Sequence, residues 1–302
     1  MAALARLRNL ASLETGMSLE TSIDPVSTHE ISLATPLGAV RLAARDHGLI
    51  GLWFCGQKYE LPYSPVIATA HAATVAVLEQ GSRWLDQYFA GKADAPPPKL
   101  TPRGTAFQHE VWAGLATIAP ATRMSYAALA AAIGKPAAVR AVAAAVGRNP
   151  LSILVPCHRV IGSSGQLTGF AGGLGRKRAL LALEMGEPLP WRPVLRSYAT
   201  QYPDPIDVAV GESVRFVDRS DDGEYAGWKW AIAGDGRQGW VPQSYFSVNA
   251  AAGRALRGYS ARELDVHAGD EILELDAFSG WLWVIDRKLN CGWIPQVSVY
   301  PN

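Results

Sequence analysis

Cys157 and His158 stand side by side in Pro156-Cys157-His158-Arg159-Val160, behind an apolar run, Ile153-Leu154-Val155. A thiol attacks only as thiolate, and its free pKa is about 8.5. A neighbouring base or cation lowers that value, and His158 and Arg159 supply one of each. On a straight strand consecutive side chains face opposite ways. Pro156 favours a bend or a helix start, which would bring both groups to one pocket. A third group must orient the imidazole. Glu184 is the best placed, because residues 101–190 hold only three acids. The plain alternative is a structural cysteine beside a surface histidine. Zinc needs about four ligands at close spacing, and the other cysteines, Cys55 and Cys291, are far off in sequence. A thiol hydrolase usually draws its histidine from elsewhere in the chain. Alkyl transfer needs a soft nucleophile, a way to bring in the substrate, and a proton for the leaving group.

The rest of the chain must carry that pair. Its 302 residues suffice for two or more domains at ~100–200 residues each, and 49% hydrophobic residues can build their cores. No run approaches the ~20 apolar residues of a membrane span, so no membrane partner is expected. Residues 1–27 read as an N-terminal extension. Its start carries arginines but lacks the apolar stretch of a secretory signal. Three distant cysteines make no disulfide framework, and a reducing, cytoplasmic setting is the expectation. Net charge is +1, yet residues 101–190 hold nine Lys/Arg against three Asp/Glu, and residues 191–302 hold eleven against fifteen. The basic segment points to a polyanion partner; a solvated basic face is the other reading.

Residues 29–54 alternate apolar and polar around turns at Pro36-Leu37-Gly38 and Asp46-His47-Gly48, which predicts two or three antiparallel strands. Helical spacing predicts a helix over 66–89. Proline-rich 90–104 reads as a linker, dividing a domain at 28–98 from one at 99–190. Beyond Thr105 the pattern is helical. Ser125 can cap a helix to Ile133. Gly134-Lys135-Pro136 breaks it, and Pro136 suits the first turn of a second helix to about Val146. Two short helices on a tight turn are a helix-turn-helix candidate. The second is almost all alanine, with little reach into a wide major groove. It is slim enough for a minor groove, with Arg140 as its one long central side chain. Residues 151–155 read as a short buried strand ended by Pro156. Residues 162–175 read as a glycine-rich loop of tight turns or close ligand approach, and 176–186 as a closing helix.

The Pro156–Val160 stretch resembles the signature of the O6-alkylguanine-DNA alkyltransferases, the methylated-DNA–protein-cysteine methyltransferases. TPLGAVRLAARDHGLIGL, GTAFQHEVW, SYAALAAAIGKPAAVRAV, GRNPLSILVPCHRVIGSSGQLTGFAGGL and RKRALLALE extend the resemblance, in the family's order, over residues 29–187. It implies a small N-terminal α/β (RNase H-like) domain and a helical, winged helix-turn-helix-type catalytic domain. It implies that Cys157 accepts the alkyl group of O6-alkylguanine, or of O4-alkylthymine, in double-stranded DNA. The transfer would be irreversible, need no cofactor, and follow base flipping through the minor groove. His158, through a water, would take the thiol proton, with Glu184 holding the imidazole. Tyr126 would give a proton or hydrogen bond to the leaving guanine. Asn149 would tie the recognition helix to the cysteine turn. Arg140 would wedge into the duplex beside a DNA-binding face of Ala141, Ala144, Ala145, Gly147 and Arg148. Pro156, Val160, Phe170, Ala171, Gly172 and Gly173 would line the pocket, the last three offering backbone N–H to O6. Two departures matter. Some members carry a structural zinc in the N-terminal domain; Cys55 is the only cysteine there, so no metal is expected. Some have serine where Ala171 stands, which bears on substrate preference.

Residues 191–302 hold a repeat. GWKW at 227–230 recurs as GWLW at 280–283, GWVPQ at 239–243 as GWIPQ at 292–296, and DVAVGES at 207 as DVHAGDE at 265. These are two copies of one unit of ~50 residues. Short alternating strands between Gly/Asp turns predict two small β-barrels, at 191–250 and 251–302. The unit resembles an SH3-like domain, which implies grooves for a proline-rich peptide or protein partner. Tyr202, Trp228, Pro242 and Tyr245 would line the first groove. Tyr259, Trp281 and Pro295 would line the second. The alternative is that these aromatics fill the barrel cores. The chain thus reads as multi-domain, α/β plus all-β. The leading function is a single-turnover DNA-repair alkyltransferase with a tandem interaction module. Its rivals are a damage-marking DNA-binding protein that recruits a partner through that module, and a thiol hydrolase.

Overall fold

A computed structural model describes residues 28–60, 72–92, 96–218, 226–249 and 251–300. The N-terminal extension at 1–27 lies outside the described residues, as do the first positions of the helix expected from 66.

The N-terminal part is an antiparallel sheet of β1 (His29–Leu33), β2 (Val40–Arg45) and β3 (Gly48–Phe54). Helix α1 (Ala72–Phe89) lays Leu78 and Leu85 on it. Gly81 permits the close approach, since a Cβ there would crowd Leu42 and Leu49. The proline-rich linker is pinned to β3: Leu49 donates to Lys99 O and Thr101 donates to Leu49 O. One apolar core therefore runs from the sheet into the helices that follow.

Helix α2 (Ala106–Ala116) starts at a reciprocal cap between Thr105 and Gln108. Two short strands, β4 (Met124–Ser125) and β5 (Val160–Ile161), pair in parallel. Between them lie α3 (Tyr126–Ala132), capped by the Ser125 side chain, and α4 (Val139–Gly147), entered through a 3-10 turn at Pro136–Ala138. The Trp112 indole donates to Ala145 O (3.0 Å) and ties α2 to α4. Residues 151–155 form no strand, contrary to expectation. Only Leu151 bridges to β3, at Leu52, and the chain then coils tightly, Val155 donating to Leu151 O. Ile153 sits at φ 70°, a conformation costly for a β-branched residue. Helix α5 (Leu174–Glu184) closes this part.

The C-terminal part is all-β: β6 (Arg192–Pro193), β7 (Asp207–Val208), β8 (Ser213–Val217), β9 (Trp228–Ala233), β10 (Gln238–Pro242), β11 (Phe246–Asn249), β12 (Ala252–Ala255), β13 (Tyr259–Ser260), β14 (Glu271–Phe278), β15 (Trp281–Asp286) and β16 (Cys291–Pro295). The boundary expected at 250/251 does not separate two closed barrels. Strand β12, which opens the second repeat, pairs with β8 and β11 of the first. Strand β6, which opens the first repeat, pairs with β14 of the second. The exchange is reciprocal. Gly211 donates to Ala255 O, and Gly269 donates to Val194 O; Tyr259 pairs with Val208, and Tyr198 with Val266. Ala255 thus joins the core of the first barrel and Val194 that of the second. The cause is local: only two residues separate Asn249 from Ala252, so β12 must fold back on β11 as a hairpin.

The second barrel packs on α5. Leu273, Leu275 and Ile285 enter the core of the N-terminal half. Buried Arg176 spans the seam, donating to Leu37 O (2.8 Å) and Gly172 O (2.7 Å). Burial lowers its guanidinium to about 10, against the pull of Asp276. Gly175 lies against the backbone of Glu274, where a Cβ would collide. Gly175→Ala is expected to lower stability by about 1–3 kcal/mol, read from the denaturation midpoint. An unchanged midpoint would mean that this seam contributes nothing.

Candidate active site

The turn after α4 presents Cys157. Asn149 organises it from within: its Oδ1 accepts from Leu151 N (3.0 Å), and its Nδ2 donates to Val155 O (2.8 Å) and to Cys157 Sγ (3.1 Å). Past Pro156 the chain enters a 3-10 turn, Cys157–Arg159, the helix start that the proline favours. Cys157, His158 and Arg159 are all buried in it, so the histidine is not a surface one.

His158 Nε2 lies 2.8 Å from Glu184 Oε1. An ionised carboxylate accepts only, so Nε2 carries the proton and Nδ1 presents a lone pair. That Nδ1 is buried and has no partner among the described residues. Burial lowers the imidazole pKa, against the raising pull of Glu184, and keeps the ring neutral at pH 7. Glu184 also accepts from Arg159 Nε (2.8 Å) and NH2 (2.7 Å), Tyr88 Oη (2.9 Å) and Ala121 N (3.3 Å). Burial alone would raise this carboxyl, but the hydrogen bonds and charges of His158 and Arg159 bring it down to about 2. Arg159 is anchored in turn on Ile118 O.

Burial raises the Cys157 thiol, opposed by the Asn149 hydrogen bond and the Lys177 charge. The thiol is therefore neutral at rest, and its proton must leave as it attacks.

The glycine-rich loop closes over this turn. Tyr126 Oη lies 3.3 Å from Thr168 O and 3.2 Å from Gly169 O. Gly169 at φ 55° lets the loop pass that hydroxyl. Phe170 meets the rings of His158 and Phe54 edge-on. Ala171 O accepts from Lys58 N, and Gly172 O from Arg176. Pro156 and Val160 are buried beside Cys157; Gly173, at φ 96°, turns the chain into α5. Arg140, Ala141, Ala144 and Arg148 share the exposed face of α4, with Gly147 partly exposed at its end. Ala145 does not belong to that face. It is buried, because its turn of the helix backs onto Trp112.

Arg159, expected as a cation for the thiol, instead holds Glu184. Three residues of this site were not evident in the sequence. Tyr88 holds Glu184 from α1. Lys177 is fully buried, its Nζ donating to Val160 O (2.5 Å) and Thr168 O (2.6 Å). Burial lowers its ammonium to about 8, against the pull of Cys157. Its position two helical turns before Glu184, on the same face, was the available signal. Tyr59, at φ 65° and 43% exposed, has the Lys58 ammonium and the Arg148 guanidinium about 5 Å from its ring centre. No spacing in the sequence links it to Arg148.

Of the seven aromatic and proline positions expected in two C-terminal grooves, five, Tyr202, Trp228, Tyr259, Trp281 and Pro295, line one cavity. Pro242 is buried in β10, and Tyr245 faces a different cavity with Arg257 over its ring. Among the described residues no cluster of three or more His, Cys, Asp or Glu side chains could hold a metal. No helix among them is long and apolar enough to cross a membrane.

Glu184→Gln leaves the buried Arg159 without its carboxylate, and a loss of about 3–5 kcal/mol is expected. The carboxyl is near 2 when folded against an ordinary 4.5, so its contribution is full above 4.5 and is lost as pH falls towards 2. Unfolding midpoints followed through that window should drop more steeply in the natural protein than in the variant.

Residues 29–95 match the family model for the 6-O-methylguanine DNA methyltransferase ribonuclease-like domain, and residues 106–186 match that for its DNA-binding domain. Residues 194–248 match a variant SH3 domain. A methylated-DNA–protein-cysteine methyltransferase of Mycolicibacterium paratuberculosis is 45% identical over 150 residues, covering 50% of this chain and 88% of that protein. One from Methanosarcina barkeri is 41% identical over 152 residues, covering 50% and 94%. A crystal structure of Mycobacterium tuberculosis OGT in complex with DNA is similar at 40% identity and a TM-score of 0.45, over 52% of this chain and 93% of that one. The chain belongs to the methylated-DNA–protein-cysteine methyltransferase family and carries an SH3-like region beyond its alkyltransferase half.

Proposed function

We propose that the protein repairs DNA by moving an alkyl group from guanine O6, or thymine O4, onto Cys157. The observation that carries this is the pairing of a buried, neutral thiol with a histidine whose Nε2 is committed to Glu184. Its Nδ1 is left as a base inside a sealed turn. In the step, a bond forms between Sγ and the alkyl carbon as the carbon–O6 bond breaks. The thiol proton passes through a water to His158 Nδ1. Tyr126 supplies a proton or hydrogen bond to the guanine, which leaves as the restored base. The thioether is stable, so each chain acts once.

The substrate atom lies inside the duplex and must be flipped out, at a cost of a few kcal/mol. The alanine-rich outer face of α4 suits a minor groove, and Arg140 can fill the vacated stack. Arg148, with Lys58 and Tyr59 beside it, extends a cationic edge towards the phosphates. The loop from Phe170 to Gly173 would wall the extruded base. Ala171 in place of a hydroxyl-bearing residue leaves its recognition there to the backbone.

The first test is intact mass after incubation with a duplex bearing one O6-methylguanine. One methyl per chain is expected, absent in Cys157→Ala. Duplex binding without mass gain would favour the damage-marking reading, and turnover of an ester would favour a thiol hydrolase. Arg140→Ala should slow transfer from duplex DNA about tenfold or more, since flipping loses its wedge, while transfer from the free base O6-methylguanine stays unchanged. Equal slowing of both would place Arg140 in the chemistry instead. Duplex affinity should fall with salt, as phosphate contacts require. We further read residues 191–302 as an interaction module for a proline-rich partner.

A further inference from the structure

Residues 57–59 of the N-terminal part touch three separate pieces of the candidate site. The buried Gln57 accepts at its Oε1 from Ser152 Oγ (3.0 Å), on the stretch that leads into the cysteine turn, and from Phe54 N (3.0 Å). Lys58 N donates to Ala171 O (3.1 Å) in the glycine-rich loop. The Tyr59 ring lies 4.9 Å from the Arg148 guanidinium at the end of α4. The cysteine turn, the pocket loop and the DNA-facing helix are thus registered against three consecutive residues. The backbone that carries them turns left-handed twice, at Gly56 (φ 77°) and at Tyr59 (φ 65°). A non-glycine residue holds that conformation only where its surroundings fix it.

The SH3-like region supplies part of that fixing. Arg257, which follows β12, donates from Nε to Gly56 O. The arm is stiff, because its guanidinium lies 4.3 Å over the Tyr245 ring and its NH2 is 3.8 Å from Asp276 Oδ2. Gly258 O approaches so closely that a Cβ on Gly56 would sit 3.1 Å from it. Within the N-terminal part, Glu60 accepts from Gly56 N (2.9 Å) and from Arg41 (2.6 Å), which holds the other end of the turn. The repeat provides an internal comparison. Arg196 in VLRSY is the equivalent of Arg257 in ALRGY. Arg196 is exposed, and its side chain makes no hydrogen bond or ion pair among the described residues. The SH3-like unit therefore does not need this arginine for its own fold.

We propose that Arg257 is a positioning residue for alkyl transfer: by holding Gly56 it sets residues 57–59, and through them the pocket loop, the cysteine turn and α4 relative to one another. The proposal rests on the alkyltransferase reading and gives the C-terminal region a part in the reaction itself. Displacement of a site element by about 1 Å can cost up to about a hundredfold in rate. A loosened loop also widens the pocket around the extruded base, so it penalises a small alkyl group more than a large one.

The test follows alkylation of the full chain by intact mass against time, at saturating duplex bearing one O6-methylguanine. Each chain reacts once, so the curve separates two quantities: the amplitude counts folded protein and the rate constant reports positioning. Arg257→Ala should lower the rate constant about tenfold or more and leave the amplitude at one methyl per chain. Arg257→Lys, which keeps a donor for Gly56 O, should recover part of the rate. Arg196→Ala should match the natural protein. With the free bases, the ratio of the rate from O6-benzylguanine to that from O6-methylguanine should rise severalfold in Arg257→Ala. An unchanged rate constant, a loss confined to the amplitude, or equal slowing by Arg196→Ala would each overturn the positioning role while leaving the alkyltransferase reading intact. Absence of any methyl gain by the natural protein would overturn both.

Discussion

The buried carboxylate of Glu184 is the constraint on which the alkyltransferase half depends. It takes hydrogen bonds from five groups on three parts of the chain: Tyr88 on α1, Ala121 in the loop before β4, and His158 and Arg159 in the cysteine turn. An isolated carboxylate at this depth would be strongly disfavoured, and only so complete a set of donors keeps it ionised. The same set decides the chemistry. With Nε2 occupied by Glu184, the imidazole can act only through Nδ1. With Arg159 supplying the compensating charge, the imidazole need not be protonated to satisfy the acid.

The cysteine turn is held from the other side by Asn149, whose amide replaces the backbone pairing that residues 151–155 forgo. Lys177 then joins β5 to the glycine-rich loop. The loop is fixed at its far end by Lys58 of the N-terminal part and by Arg176. Arg176 also reaches the β-turn at Leu37 and faces Asp276 of the second barrel. The glycine-rich loop beside Cys157 is thus clamped between all three parts of the chain. The SH3-like region is packed into the architecture rather than tethered to it.

The strand exchange follows from the same close packing. The opening strands of the two repeats, VLRSY and ALRGY, are near-equivalent, so each fits the slot of the other. The short connection after β11 leaves the second of them nowhere to pair but the first barrel. The first, emerging from α5 beside β14, completes the second. A repeat detected in sequence therefore gives the number of barrels without giving which strands close them.

The sequence by itself determined the parts list: the Cys157-His158 pair, Glu184 as its orienting acid in a segment with only three acids, the capped helix pair, and the doubled tryptophan motif. These are local patterns, and a helix cap, a proline bend or a hydrophobic period acts over a few residues. Only the tertiary structure decided what long-range contacts fix. It turned Ala145 inward against Trp112, coiled residues 151–155 around Asn149 where an apolar run suggested a strand, and buried Lys177 beside Cys157. It stacked Tyr59 with Arg148 from a distant part of the chain and drew five of the seven expected groove residues into one cavity. Each of these depends on which distant backbone or ring arrives at a residue, and burial by a distant partner leaves no periodic mark in the residues that meet it.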